Sequence, residues 1–354
     1  MSKEVRIGKV KIGNKNKIAV QSMTNTKTFD VDATIVQIKK LESAGCDIVR
    51  VAVPDKKDAL AIRQIKNSID IPLVADIHFD YKLAILSIEN GADKIRFNPG
   101  NIGKKENLID LVKCANEHNI PIRIGVNSGS VEKEIFAKSG NSYDALVDSA
   151  LKNIRILEDL NFNNIVVSVK SSSVSDTVLA YRKLKKLCDY PLHIGVTESG
   201  MQNFGIVKSS IGIGSLLLDG IGDTVRVSLT GDPINEVYAA HNILRALKID
   251  KNYCEIISCP TCGRCEIDIE NIATKVYLAT QNVNYPLKLA VMGCVVNGPG
   301  EALDADLGLA GGKRKSVIFK KGKVIKTVDS NVLMEEFMTE LSQIINGCKG
   351  EQLL

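Results

Sequence analysis

One pattern constrains this chain more than any other. From residue 18 to about 230, eight short β-rich runs alternate with amphipathic stretches. The runs are IAVQSM (18–23), DIVRVAV (47–53), IPLVADI (71–77), DKIRFN (93–98), PIRIGVN (121–127), NIVVSVK (164–170), PLHIGVT (191–197) and DTVRVSL (223–229). Gly, Pro, Asn and Asp bound them, as they bound strands generally. Between them lie helical patterns such as DATIVQIKKLESAG (32–45), with apolar residues at i and i+3 or i+4 and a closing Gly. Eight such units in about 210 residues predict a (β/α)8 TIM-type barrel. A doubly wound open sheet is the alternative, but no G-x-G-x-x-G follows the first strand.

Near residue 246 the alternation stops. A polar bridge, KIDKNY (248–253), leads into a strand, a helix at about 266–281, a strand at 287–292, a Gly-rich loop, a hairpin in SVIFKKGKVIKTV (316–328) and a final helix. The chain is therefore expected to be α/β: a barrel over 1–247 and a smaller α+β domain over 248–354. Its charge balance, 46 Lys+Arg against 41 Asp+Glu, suits a small anionic substrate. With no Trp and 5% aromatics there is no basic, aromatic-studded stretch for nucleic acid. No apolar run approaches the roughly 18 residues that span a membrane. MSKEVRIGKVKIG lacks a signal-peptide core, so a cytoplasmic enzyme without a disulfide framework is expected.

Barrels gather their chemistry where strands end, and the polar residues of this chain fall there. The runs carry Arg50, then Asp76 and His78, Arg96 and Asn98, Arg123 and Asn127, Lys170, Thr197 and Glu198, and Arg226 and Ser228. Four arginines and a lysine inside strands covered on both faces need counter-charges, and only Asp76 and Glu198 lie near them in the pattern. Arg–acid layers closing the barrel would explain one such residue. For five, a diphosphate gripped by guanidinium forks is the better reading. Asp76, His78 and Glu198 are then candidates for proton transfer or ligand hydroxyl contacts, although a lone His at a loop start also fits a structural role. A G-I-G run at 212–214 is a weak candidate phosphate nest at a helix start.

The nine cysteines are unevenly placed. Cys46, Cys114 and Cys188 are scattered and read as small buried hydrophobes, and Cys348 sits in the tail. Cys254, Cys259, Cys262 and Cys265 crowd into twelve residues, and VMGCVVNGPGE adds Cys294 and Glu301. A structural zinc site wants two knuckles, and Cys294 has no paired Cys or His. A thioredoxin-like C-x2-C would follow the first strand of a small α/β domain. An iron–sulfur cluster remains, with a helix start at 262–265 offering N–H groups and a positive dipole end to it. An electron-transfer or zinc-stabilised module fused to an idle barrel stays open as the competing reading.

CPTCGR (259–264) together with GCVVNGPGEA (293–302) resembles the 4-hydroxy-3-methylbut-2-enyl diphosphate synthase family of the non-mevalonate isoprenoid pathway. AVQSMTNT (19–26), RFNPGNIG (96–103), RIGVNSGS (123–130) and GVTESG (195–200) are similar to its barrel signatures, so the resemblance spans essentially the whole chain. It implies one [4Fe–4S] cluster per subunit held by Cys259, Cys262, Cys294 and Glu301, with Asn297 of the same segment at the substrate. It also implies reductive opening and dehydration of 2-C-methyl-D-erythritol 2,4-cyclodiphosphate, with electrons from flavodoxin or ferredoxin. A head-to-tail homodimer, each cluster domain capping its partner's barrel, is the implied assembly. As an implied cluster ligand, Glu301 is an expected catalytic carboxylate, and Glu198, a carboxyl at the barrel mouth placed to deliver a proton to a departing oxygen, is the other. Cys265 departs from the family pattern: it creates C-x2-C-x2-C and could compete with Glu301 for the fourth iron, though it is expected to stand by.

Overall fold

The computed structural model describes residues 1–101, 105–281 and 283–351. Ile102 and Gly103 of the RFNPGNIG segment and the side chain of Cys348 lie outside the described residues. The chain divides into two units, Met1–Leu247 and Lys248–Leu354.

The first unit opens with a short antiparallel hairpin of β1 (Val5–Ile7) and β2 (Val10–Ile12). Eight parallel strands follow: β3 (Ala19–Met23), β4 (Ile48–Ala52), β5 (Leu73–Asp76), β6 (Lys94–Arg96), β7 (Ile122–Asn127), β8 (Ile165–Lys170), β9 (His193–Ile194) and β10 (Thr224–Val225). They pair in the order β8-β7-β6-β5-β4-β3-β10-β9, and a parallel bridge from Val167 to Leu192 brings β8 back to the segment entering β9. This is a TIM-type barrel. The helices between strands begin where short polar side chains can cap them. Asp30, Asp55, Asp80, Asn141 and Ser173 each accept a backbone N–H of the following helix, worth about 1 kcal/mol apiece.

The outward faces of the strands pack under the helices, from Val20, Val49 and Val51 round to Ile194 and Val225. The inward face carries an apolar cluster at its base, where Ala19, Ile48, Val74 and Val166 meet Val5, Ile7 and Ile12 of the hairpin. The hairpin plugs the N-terminal end of the barrel. Its three-residue strands are too short to carry a legible alternation, and the sequence did not announce them.

The second unit is a five-stranded sheet of β11 (Cys254–Ser258), β12 (Leu287–Met292), β13 (Leu307–Ala310), β14 (Lys315–Lys320) and β15 (Lys323–Asp329), paired in that order. β11, β12 and β13 run parallel, and the β13–β14 and β14–β15 pairs are antiparallel. Helices Ile269–Thr280 and Leu333–Glu351 cover it, burying Val276, Leu289, Leu309, Ile318 and Phe337. The hairpin expected at 316–328 is β14–β15. β13 was read as loop because its LGLA contains Gly308. That glycine is there because the Phe319 ring lies 2.2 Å from where its Cβ would stand.

Two expectations fail here. The helix expected to start at 262–265 starts at Ile269, capped by Asp268, so Cys262 and Cys265 lie in the turn before it and face no helix dipole. The G-I-G run at 212–214 sits inside helix Gln202–Leu218, where its N–H groups are spent on the helix ladder, so it is no phosphate nest.

Candidate active site

Inside the barrel, period-two alternation aims every second strand residue at the axis. At the C-terminal end those residues include a cluster of cations. Arg96 donates from Nη1 to Asp76 Oδ1 (3.2 Å) and from Nη2 to the Gly125 carbonyl (2.8 Å). It lies so close over β7 that a Cβ on Gly125 would stand 2.6 Å from its Nε. Arg50 pairs with Asp76 at 3.7 Å and otherwise meets only the Met23 thioether, a weak acceptor. Arg123 donates to Ser168 Oγ (2.7 Å), and Arg226 reaches Glu236 at 3.5 Å. Lys170, buried at the end of β8, makes no hydrogen bond or ion pair with a described residue.

The electrostatics are lopsided. Six buried or half-buried cations, Arg50, Lys94, Arg96, Arg123, Lys170 and Arg226, face two buried carboxylates, Asp76 and Glu236. Loss of water pushes Arg50 down to about 10 and holds Arg123, Lys94 and Lys170 well below their ordinary values, with neighbouring guanidiniums adding to it. Burial alone would raise the Asp76 carboxyl, but Arg50, Arg96 and Arg123 together hold it below its usual range. Buried guanidinium N–H groups are also left over: Arg96 Nε, Arg123 Nε and Nη2, and Arg226 Nε have no protein partner. Unmet buried donors are costly and rare in a native fold. Aimed into a barrel, they suit oxyanion recognition.

The other expected site residues distribute around this cluster. His78 is exposed at the rim, its Nδ1 3.3 Å from Arg96 Nη1. Asn98 spends its amide on the N–H and carbonyl of Gly125 and so holds the chain after β6 against β7. Asn127 leads into a short turn closed by Ser130, and Thr197 and Ser228 are half-buried at strand ends. Glu198 was expected among the counter-charges of the arginines. It is exposed and makes no ion pair with a described residue, and Glu236 takes that place. The Glu198 backbone is left-handed (φ 52°), a conformation that costs a non-glycine residue about 1 kcal/mol or more.

Sequence reasoning missed Glu236 and Lys94. Glu236 lies on helix Ile234–Ala246 and reaches back to accept from Ser22 Oγ (3.0 Å) and the Leu229 N–H (3.0 Å). Lys94 had a signal: it precedes Arg96 and Asn98 by steps of two, which puts all three on one face.

In the second unit the cysteines lie on turns. β11 runs into Cys259, β12 into Gly293 and Cys294, and the Gly293 N–H donates to Cys259 Sγ (3.2 Å). A Cβ on Gly293 would stand 2.6 Å from Cys265 Sγ and 3.5 Å from Cys259 Sγ, so the glycine makes room for both sulfurs. Cys262 is exposed, and the Arg264 backbone N–H and side chain hold its thiol below the ordinary value. Asn297 donates to Glu301 Oε1 (3.2 Å) across the short helix Gly298–Glu301. Among the described residues no three His, Cys, Asp or Glu side chains stand close enough together to hold a metal ion. The donor chemistry still fits a thiolate-ligated cluster, with an N–H aimed at one sulfur and a second thiol eased toward thiolate. In the barrel unit Cys46 and Cys114 are buried and Cys188 is half-buried.

Residues 2–241 match the family described as GcpE TIM-barrel domain, and residues 255–343 match GcpE protein C-terminal domain. A curated 4-hydroxy-3-methylbut-2-en-1-yl diphosphate synthase (flavodoxin) from Caldanaerobacter subterraneus subsp. tengcongensis is 58% identical over 346 residues, covering 98% of each chain. The protein of the same name from Fusobacterium nucleatum is 54% identical, again with 98% of each chain covered. Among solved structures, a dihydropteroate synthase from Stenotrophomonas maltophilia aligns with a TM-score of 0.51 at 12% identity, over 70% of this chain and 98% of that one, a likeness of fold alone. The barrel, the cysteine turns and the full-length identity converge: this chain belongs to the GcpE family of 4-hydroxy-3-methylbut-2-en-1-yl diphosphate synthases.

Proposed function

We propose that this chain converts 2-C-methyl-D-erythritol 2,4-cyclodiphosphate to (E)-4-hydroxy-3-methylbut-2-enyl diphosphate. Two electrons and two protons enter, the ring C–O bond opens and one water leaves. The observation that carries this reading is the barrel's surplus of buried cations, with four guanidinium N–H groups unmet. Arg50, Arg96, Arg123, Lys170 and Arg226 bind the diphosphate, and Asn127, Thr197 and Ser228 orient the carbon skeleton at the strand ends. Asp76 keeps the Arg50 and Arg96 side chains aimed inward, and His78 stands at the rim. Glu198, held out in a strained turn, is the proton donor to a departing oxygen.

Cys259, Cys262, Cys294 and Glu301 would hold a [4Fe–4S] cluster, with Asn297 steadying the Glu301 carboxylate. When bound, that cluster supplies electrons one at a time from a flavodoxin or ferredoxin and, at the carboxylate-held iron, a Lewis acid. Two copies pair, in this reading, through helix Gln202–Leu218, whose exposed Phe204, Val207, Ile211 and Leu218 share one face. No described helix is long and apolar enough to cross a membrane, and the reading places the enzyme in the cytoplasm. The test is anaerobic: protein reconstituted with iron and sulfide, reduced flavodoxin, and the cyclic diphosphate. The linear allylic diphosphate should form and iron analysis should match one cluster per chain. A zinc-loaded, colourless protein that leaves the substrate intact would overturn it.

A further inference from the structure

Lys94 lies deeper than the arginines. It is at the start of β6, with 0% of its surface exposed, and its Nζ crosses the barrel to donate to Gln21 Oε1 on β3 (3.2 Å). β6 and β3 are separated by two strands, so this bond spans the interior. Its partner is neutral. Gln21 Nε2 and His193 Nε2, also buried, have no partner at all. Lys170 is equally without a counter-ion, its Nζ 2.9 Å from where a Gly195 Cβ would stand. A buried ammonium with no carboxylate is expensive. Arginine cannot shed its proton in a protein, whereas lysine can. The free barrel therefore relieves its surplus charge at the lysines, and an arriving anion removes the reason for doing so.

Resting on the reading that the barrel takes the cyclic diphosphate, we propose that Lys94 and Lys170 between them gain about one proton when that ligand binds, and that Lys94 is a positioning residue for it, acting through Gln21 and through the charge it restores beneath the arginines. The groups facing the two lysines permit this. Burial, with Arg50 on β4 and Arg123 on β7, opposes protonation of both lysines in the free barrel. Arg226, just past β10, also opposes it at Lys170, and His193 on β9, held well below its ordinary pKa by burial and by the neighbouring cations, stays neutral. Asp76 on β5 is already paired with Arg50 and Arg96, and Glu236 with Arg226. Tyr181, on helix Val174–Lys185, donates to the His193 carbonyl (2.6 Å), and burial raises its pKa, so it stays neutral. The sign follows: lysines depressed in the free state and restored by an anion make binding tighter at low pH and weaker as pH rises.

The cyclic diphosphate suits the measurement because each phosphorus carries a single, strongly acidic hydroxyl, so any proton taken up near neutrality goes to the protein. Reconstituted holoenzyme is titrated calorimetrically with it, without reductant, in buffers of low and high ionisation heat. At about pH 8 the observed heats should report uptake of about one proton per site, and affinity should fall by up to about tenfold per pH unit above that. Lys94→Met should still bind but lose much of both dependences, which a merely structural lysine would not do. Binding with no buffer dependence in the wild-type chain overturns the inference and leaves the proposed function standing, and it needs no variant. An unaltered slope in a folded Lys94→Met chain removes Lys94 from it. No binding at all would defeat the underlying reading as well.

Discussion

The barrel and the cysteine turns prepare for their ligands in opposite ways. In the barrel, strand register places every functional group, and rigid packing outside the sheet holds cations in a volume they would otherwise leave. In the second unit Cys259, Cys262 and Cys294 sit on turns at the ends of β11 and β12, half-buried or exposed, and are not gathered to a point. The first site is assembled at an electrostatic cost, which the proposed diphosphate would relieve. The second carries its sulfurs on turns within reach of water and is spared that cost. The difference lies in dielectric: a misplaced charge in the barrel has no water to retreat to, while a thiol on a surface turn does.

Removing the one carboxylate that Arg50 and Arg96 share should separate the regions most sharply. Asp76→Asn leaves two buried guanidiniums uncompensated and is expected to destabilise the chain by about 3–5 kcal/mol. Denaturant unfolding measures it, and an effect below the noise would mean that water already screens the barrel cations. A cation deletion should run the other way. Arg123→Met relieves repulsion and is expected to stabilise the free chain by about 1 kcal/mol or more. It should weaken diphosphate binding by about 1.5–3 kcal/mol, the worth of a charge-assisted hydrogen bond. Calorimetry and unfolding on the same preparation check both, and lost stability with unchanged affinity would reverse the account of Arg123. The smallest effect belongs to the turns. Cys265 Sγ lies against Gly293 and donates to the Ile267 carbonyl (3.2 Å). Cys265→Ser should leave iron content and visible absorption unchanged, and loss of iron would make Cys265 a ligand.

How much of this was legible beforehand follows from the same contrast. Charges such as Arg50, Arg123 and Lys170 stand out because they interrupt runs that should be apolar, so the barrel's cation cluster could be read from the sequence. Its acids were harder. Glu236 sits among ordinary helical residues, and only folding shows that it reaches Arg226 and Ser22, whereas Glu198, next to a strand end in sequence, turns away into solvent. Lys94 obeys the alternation but stands near the start of its run, away from the strand ends where barrels gather their chemistry. In the second unit the cysteine spacing was plain, but the helix start was misplaced by several residues, because Asp268 caps it and the cysteines do not.

The central claim is that the barrel binds the diphosphate by itself and the cysteine turns serve the electrons. Its most direct measurement is the affinity of the cyclic diphosphate for the full-length Cys259→Ser chain, prepared without iron and compared with wild-type holoenzyme. The account predicts affinities within about threefold, less than 1 kcal/mol apart, with turnover abolished in the variant. Affinity lost along with the iron would contradict it, and would move the grip on the diphosphate from the arginines to the cluster.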